Sequence, residues 1–219
     1  MADPSPAGDD VGGAAGERIG IFGGTFDPVH VGHLVAATWA RDALALDRVL
    51  LVVANDPWQK TGRRRVTPAA ERLAVVRAAV AGVRGLEPSA MEIDRGGPSY
   101  TIDTVRQLAR RHPGAELFVV VGTDVAAELD TWHDAEELAG LVRLVVVGRG
   151  GLDEGVGPPG WRVEHLRIPA LEVSSSELRR RLAAGQSVEF LIPAPAILCI
   201  ERLGLYAGGE MRNATTGRR

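Results

Sequence analysis

A single cysteine, Cys199, stands in 219 residues. That excludes an intramolecular disulfide and a cysteine-built metal centre, and it fits a reducing compartment. Lysine is equally scarce: among 25 basic residues Lys60 is the one lysine and the rest are arginine. Aromatics make up only 5% of the chain and the net charge is only −3, so there is no broad basic field for a nucleic-acid backbone. No apolar run approaches the roughly 20 residues that a membrane-spanning helix needs. Residues 1–17 are mostly Gly, Ala, Asp and Pro, with neither a basic start nor an apolar centre. They read as a disordered tail and not as a secretory leader. Residues 207–219 read as a second unstructured tail. Between them, residues 18–206 suffice for one domain with an ordinary core, in a chain that is 45% apolar. A cytoplasmic protein with no nucleic-acid or membrane partner is expected, monomeric or homo-oligomeric.

Strand-length and helix-length patterns alternate along this domain. Ile19, Ile21 and Phe22 read as a short buried strand, and residues 34–40 as the start of a helix. Residues 48–54 form a continuous apolar run, as in a strand covered on both faces. Strand, helix and strand so close together imply a right-handed crossover and a parallel sheet. A loop over 55–66 leads to a helix opening at Thr67-Pro68, with Pro at its first position. Ala90-Met91-Glu92-Ile93 reads as a weaker strand. A helix over 101–111 has Ile102, Val105, Leu108 and Ala109 on one face. Strands follow at 116–121, 141–147 and 162–168, with a Gly/Pro-rich loop over 150–160, and the last helices open at Ser174 and near Pro195. The expected fold is α/β: one Rossmann-like, doubly wound parallel sheet in a single domain. Loops at Gly23, Asn55, Gly122 and Gly148 leave strands at one edge, where ligands of such sheets bind.

Between the first strand and helix lie Gly23 and Gly24, which let a backbone approach a bulky anion with no Cβ in the way. The helix start offers N–H groups and a positive dipole end. His30 and His33, at i and i+3, share a face beside the same spot. The combination predicts a phosphate site with two imidazoles aimed into it. A His pair at this spacing also occurs as surface or capping residues, or as half a zinc site. Here no other His or Cys lies at ligand spacing. The stretch Gly24-Thr25-Phe26-Asp27-Pro28, with His30, Gly32 and His33, has no mismatch to G-T-F-D-P-x-H-x-G-H. It resembles that signature of the H-x-G-H nucleotidyltransferase superfamily, which makes NAD, coenzyme A and CDP-alcohols.

The resemblance implies an ATP site at Gly23, Gly24, Thr25, Phe26 and His33. Ser174-Ser175-Ser176-Glu177-Leu178-Arg179 contains a capping box, Ser174 with Glu177, which accounts for two of its residues. The whole run is similar to the superfamily's late I-S-S-T-x-I-R element, with Val173, Ser176 and Leu178 in place of Ile, Thr and Ile. It implies that the serines and Arg179 contact ATP phosphates; Arg180 and Arg181 read as a solvated face. Gly122-Thr123-Asp124 resembles the G-x-D that follows the fourth strand, implying ribose contact by Asp124, with a helix cap as the alternative.

For the second substrate, Asn55-Asp56-Pro57-Trp58-Gln59-Lys60 resembles the P-W-Q-K loop of the bacterial nicotinate-nucleotide adenylyltransferase family, of actinobacterial type. The segment 94–101 is similar to its R-x-x-P-S-Y-T element, Asp130-Thr131-Trp132 to its Trp loop, and Gly204-Leu205-Tyr206 to its terminus. The likeness spans residues 18–206. It implies AMP transfer from ATP to nicotinate mononucleotide, giving deamido-NAD and pyrophosphate, with Mg²⁺ held mainly by ATP and water. His30, His33, Lys60 and Arg179 are the implied catalytic residues; Asn55, Trp58, Lys60, Tyr100, Thr101 and Trp132 are the implied acceptor contacts. Trp132 could stack on the pyridine, and Thr101 with nearby N–H groups could bind its carboxylate. Lys60 or Asn55 could take the mononucleotide phosphate, or Lys60 the ATP phosphates. Trp58 and Trp132 are equally readable as partly buried apolar groups, and Arg63-Arg64-Arg65 as a lid or a solvated loop. Alternatives are an adenylyltransferase for phosphopantetheine, a CMP transferase, or a catalytically silent nucleotide sensor. Nicotinate and nicotinamide are not distinguished.

Overall fold

The computed structural model describes residues 16–57, 66–149 and 158–208. Along the chain come β1 (Arg18–Gly24), α1 (Val31–Ala43), β2 (Arg48–Val53), α2 (Ala69–Ala79), β3 (Leu86–Ser89), α3 (Met91–Arg95) and α4 (Thr101–Arg111). The second half adds β4 (Glu116–Gly122), α5 (Thr123–Ala126), a 3₁₀ turn at Leu129–Thr131, α6 (Ala135–Leu141), β5 (Arg143–Arg149) and β6 (Val163–Ile168). It closes with α7 (Ser175–Ala183) and α8 (Ala194–Arg202). The six strands pair in parallel in the order β3-β2-β1-β4-β5-β6.

The apolar runs become central strands because successive side chains serve two cores. Val49, Leu51 and Val53 of β2 pack with α1, α2 and α8 on one face. Leu50 and Val52 pack with Ile102 and Val105 of α4 and Leu138 of α6 on the other. This is the doubly wound α/β sheet expected. In β1, Gly20 leaves room for that packing, since a Cβ there would lie 2.9 Å from Val49 Cγ2. The strand order turns back between β1 and β4, so their following loops diverge and leave a crevice.

Three local expectations are corrected. Ala90 to Ile93 is not a strand: Met91, Glu92 and Ile93 lie in α3, and the strand is the preceding Leu86–Ser89. Glu87 and Pro88 interrupt its apolar pattern, and β3 tolerates a proline because it is an edge strand. Pro68 caps α2 from outside instead of occupying its first turn. Leu141 ends α6, and β5 begins at Arg143. Among the described residues no helix is long and apolar enough to cross a membrane. Residues 1–15 and 209–219, Trp58, Lys60, Arg63 to Arg65 and most of the 150–160 loop lie outside the described residues, whereas Glu17, expected in the tail, accepts from the Glu116 N–H at 2.8 Å.

Candidate active site

His30 is the N-cap of α1 and His33 its third helical residue, so the pair does not project from one helix face as expected. The rings instead lie against each other, with centroids 3.7 Å apart and planes 31° from parallel. The backbone N–H of His30 donates to His33 Nδ1 at 3.2 Å. With Nδ1 accepting, the neutral imidazole carries its proton on Nε2, which is then the donor nitrogen for a ligand. The edge of Phe26 supports the His33 ring at 5.1 Å between centroids. Phe26 itself is buried at a φ of 46° and lies under Gly24, where a Cβ would meet its ring at 2.9 Å. Gly23 has open space where a Cβ would be. The helix start is partly occupied already: the N–H of Val31 donates to the Leu191 carbonyl at 2.9 Å.

Asp27, buried and joined to Pro28 by a cis peptide bond, is the junction between this loop and the far end of the chain. Its carbonyl accepts from Arg179 Nη1 at 2.6 Å and its Oδ1 accepts from the Tyr206 hydroxyl at 2.8 Å. Burial, first, and the nearby Asp27 charge push the Tyr206 hydroxyl well above its ordinary pKa, so it stays a donor. Ser175 Oγ donates to the Pro28 carbonyl at 2.9 Å, and Arg179 Nη2 donates to Ser176 Oγ at 3.0 Å. Ser174 caps α7 by accepting from the N–H of Glu177 at 3.2 Å. All three serines and Arg179 are thus fixed by contacts inside the protein.

At the end of β2, Asn55 joins two loops. Its N–H donates to Ser99 Oγ at 2.8 Å and its amide Nδ2 to the Gly97 carbonyl at 2.9 Å. Glu92, buried beneath this junction, accepts from Thr104 Oγ1 at 2.9 Å. Burial raises its carboxyl above the ordinary value of 4.5, against the pull of Ser99, Thr104 and Arg95. Tyr100 turns away to stack on His133, with centroids 4.6 Å apart.

A cleft of about 840 Å³ gathers these parts at the carboxyl edge of the sheet. His30, His33, Asp124, Ser174 to Ser176 and Arg179 line it, and so do Thr101 and Trp132. Gly122 holds the N-cap position of α5, which leaves Asp124 inside the first turn and on the cleft wall. Trp132 is half-buried against the second core, one of the two readings given for it, and it also lines the cleft. Asn55 and Tyr100 flank the cleft without lining it. Sequence reasoning missed Arg72 and Glu92, both buried polar groups at the floor of these loops. Arg72 has so many arginine companions that composition does not mark it, and Glu92 fell in a misread strand.

The family model described as cytidylyltransferase-like matches residues 21–181, a span that includes the histidine pair and the Ser174–Arg179 element. The chain is 42% identical over 192 residues to a probable nicotinate-nucleotide adenylyltransferase of Corynebacterium kroppenstedtii, covering 86% of this chain and 90% of that one. It is 44% identical over 191 residues to one of Thermus thermophilus, covering 86% and 99%. In fold it is similar to Plasmodium falciparum nicotinic acid mononucleotide adenylyltransferase complexed with NaAD, with a TM-score of 0.69 at 19% identity, over 87% of this chain and 97% of that one. With both signature elements on one cleft and these relatives matched nearly end to end, the chain belongs to the cytidylyltransferase-like family and groups with the nicotinate-nucleotide adenylyltransferases.

Proposed function

We propose that the chain transfers AMP from ATP to the phosphate of nicotinate mononucleotide, giving deamido-NAD and pyrophosphate, a step of NAD biosynthesis. The observation that carries this reading is a single cleft shared by the stacked histidines, the start of α7, Thr101 and Trp132. Its volume of about 840 Å³ leaves room for a triphosphate beside an aromatic acceptor. The acceptor phosphate is already anionic at neutral pH. One of its oxygens attacks the α-phosphorus in line, the bond to the β-phosphate bridging oxygen breaks, and pyrophosphate leaves with the electron pair. No general base or covalent enzyme intermediate is needed, so the protein's work is positioning and charge stabilisation. The Nε2–H of His33, with His30 beside it, would donate to phosphate oxygens as negative charge develops. Arg179, held in place through Asp27 and Ser176, would steady the β/γ-phosphates. Lys60 would add a compact charge on the acceptor loop.

Asp124 would meet the ribose, Trp132 would stack on the pyridine, and Thr101 with nearby backbone N–H groups would take the carboxylate. Mg²⁺ would neutralise the triphosphate and be held mainly by substrate oxygens and water. The test is pyrophosphate release from ATP and Mg²⁺ with nicotinate mononucleotide, nicotinamide mononucleotide or phosphopantetheine in parallel. Release with nicotinate mononucleotide is expected. Release with phosphopantetheine alone would move the acceptor assignment, and none with any of the three would make the cleft a nucleotide sensor.

A further inference from the structure

Arg72 sits on α2 at 1% exposure, among the buried Leu73, Val75 and Val76. Its guanidinium is a fork with three tines. Nε donates to the Thr67 carbonyl at 2.7 Å, Nη1 to Thr25 at 2.6 Å, and Nη2 to Ala54 at 2.7 Å, with Asn55 farther away at 3.4 Å. Thr25 belongs to the loop after β1 that carries the histidine signature. Ala54 and Asn55 open the loop after β2, and Thr67 is where that same loop returns to α2. One planar cation therefore holds the phosphate loop and both ends of the acceptor loop. A second bond runs the same way, from the N–H of Ala54 to the Gly24 carbonyl at 3.0 Å. Burying a guanidinium is unfavourable unless its donors are met. Its rigid plane also sets the spacing of the three carbonyls, which the single point charge of a lysine does not.

We propose that Arg72 is a positioning residue that couples the two substrate halves of the cleft, passing the order imposed by a bound triphosphate from the phosphate loop to both ends of the acceptor loop. The inference rests on the nucleotide part of the proposed function and not on the identity of the acceptor. Coupling of this kind is reciprocal and appears as a ratio of affinities.

Hydrogen exchange of the wild-type chain with α,β-methylene ATP and Mg²⁺, and no acceptor, is the first test. Protection should rise at the amides of residues 23–27 and also at Ala54 and Asn55. Protection confined to 23–27 overturns the coupling. Protection nowhere removes the nucleotide reading and the coupling with it. Calorimetry then compares wild type and Arg72→Lys, each titrated with nicotinate mononucleotide with and without the analogue. The analogue should tighten acceptor binding by at least about fivefold in wild type, and by a factor near one in a variant whose circular dichroism shows it folded. A merely structural role would lower the variant's melting temperature and both affinities while leaving that ratio intact. A ratio near one in wild type, or an unchanged ratio in folded Arg72→Lys, overturns the proposal. If Arg72→Lys does not fold, or the acceptor is another phosphate, the exchange experiment still decides.

Discussion

His33 is defined by what its ring nitrogens touch. Because Nδ1 accepts from the His30 backbone, a side chain here must offer an acceptor on one side and a donor on the other. His33→Ala removes one preorganised donor, which should cost about 3 kcal/mol of transition-state stabilisation, or roughly 100-fold in kcat. Steady-state kinetics at saturating ATP measure this, and a near-wild-type kcat would take His33 out of the mechanism. Glu92 makes a different kind of statement. Its folded-state pKa lies above the ordinary 4.5, chiefly through burial, with Asp103 adding slightly and Ser99, Thr104 and Arg95 opposing. From about 4.5 up to its raised value the folded chain holds a proton that the unfolded chain has lost. Stability from this group is therefore full at low pH and falls as pH rises through that window. Glu92→Gln should flatten the decline in melting temperature as the pH rises above 4.5. An equally steep decline in the variant would assign it to other groups.

At the scale of elements, the signature works because strand, loop and helix meet in one packed arrangement. Gly24 ends β1 directly over the buried Phe26 ring, and that ring supports His33. Gly24→Ala should overpack this contact at a cost of about 1–3 kcal/mol and displace the histidine, lowering kcat in a chain that still folds. Melting curves and turnover on one preparation check it; unchanged kcat would mean that Phe26 does not set the ring. The strands and helices bearing the site were readable from periodicity, since β2 and β4 are apolar after a charged first residue and α4 has one apolar face. β3 was not, because its edge position relaxes the demand for continuous apolar residues. The histidine pair was located correctly in sequence, but its stacking depends on an N-cap that i, i+3 counting on a helix does not describe.

Across the whole molecule, the loop after β1 is closed by the end of the domain. Tyr206 reaches Asp27 across 179 positions, and Val31 accepts no freedom either, bonded as it is to Leu191. Tyr206→Phe leaves the ring's packing and removes the hydroxyl, so it should cost about 1–3 kcal/mol by weakening the bonding of a buried carboxylate. Thermal denaturation and the KM for ATP measure the two consequences. A variant equal to wild type in both would reduce the C-terminal strap to packing alone.

The alternation of strands and helices, the doubly wound class and the placing of the histidine signature after the first strand were determined by the sequence itself. Those properties depend on short-range periodicity and on residue types at close spacing. The matches at 42–44% identity also follow from it directly. Only the tertiary structure decided that Arg72 would bind the Thr25, Ala54 and Thr67 carbonyls, and that Glu92 would be buried beneath the acceptor loop. It likewise decided that Asn55 would turn its amide to Gly97 and that Tyr206 would serve Asp27. A hydrogen bond to a backbone carbonyl leaves no trace in the identity of the residue that supplies it, and the distance between two loops is set by the sheet that lies between them.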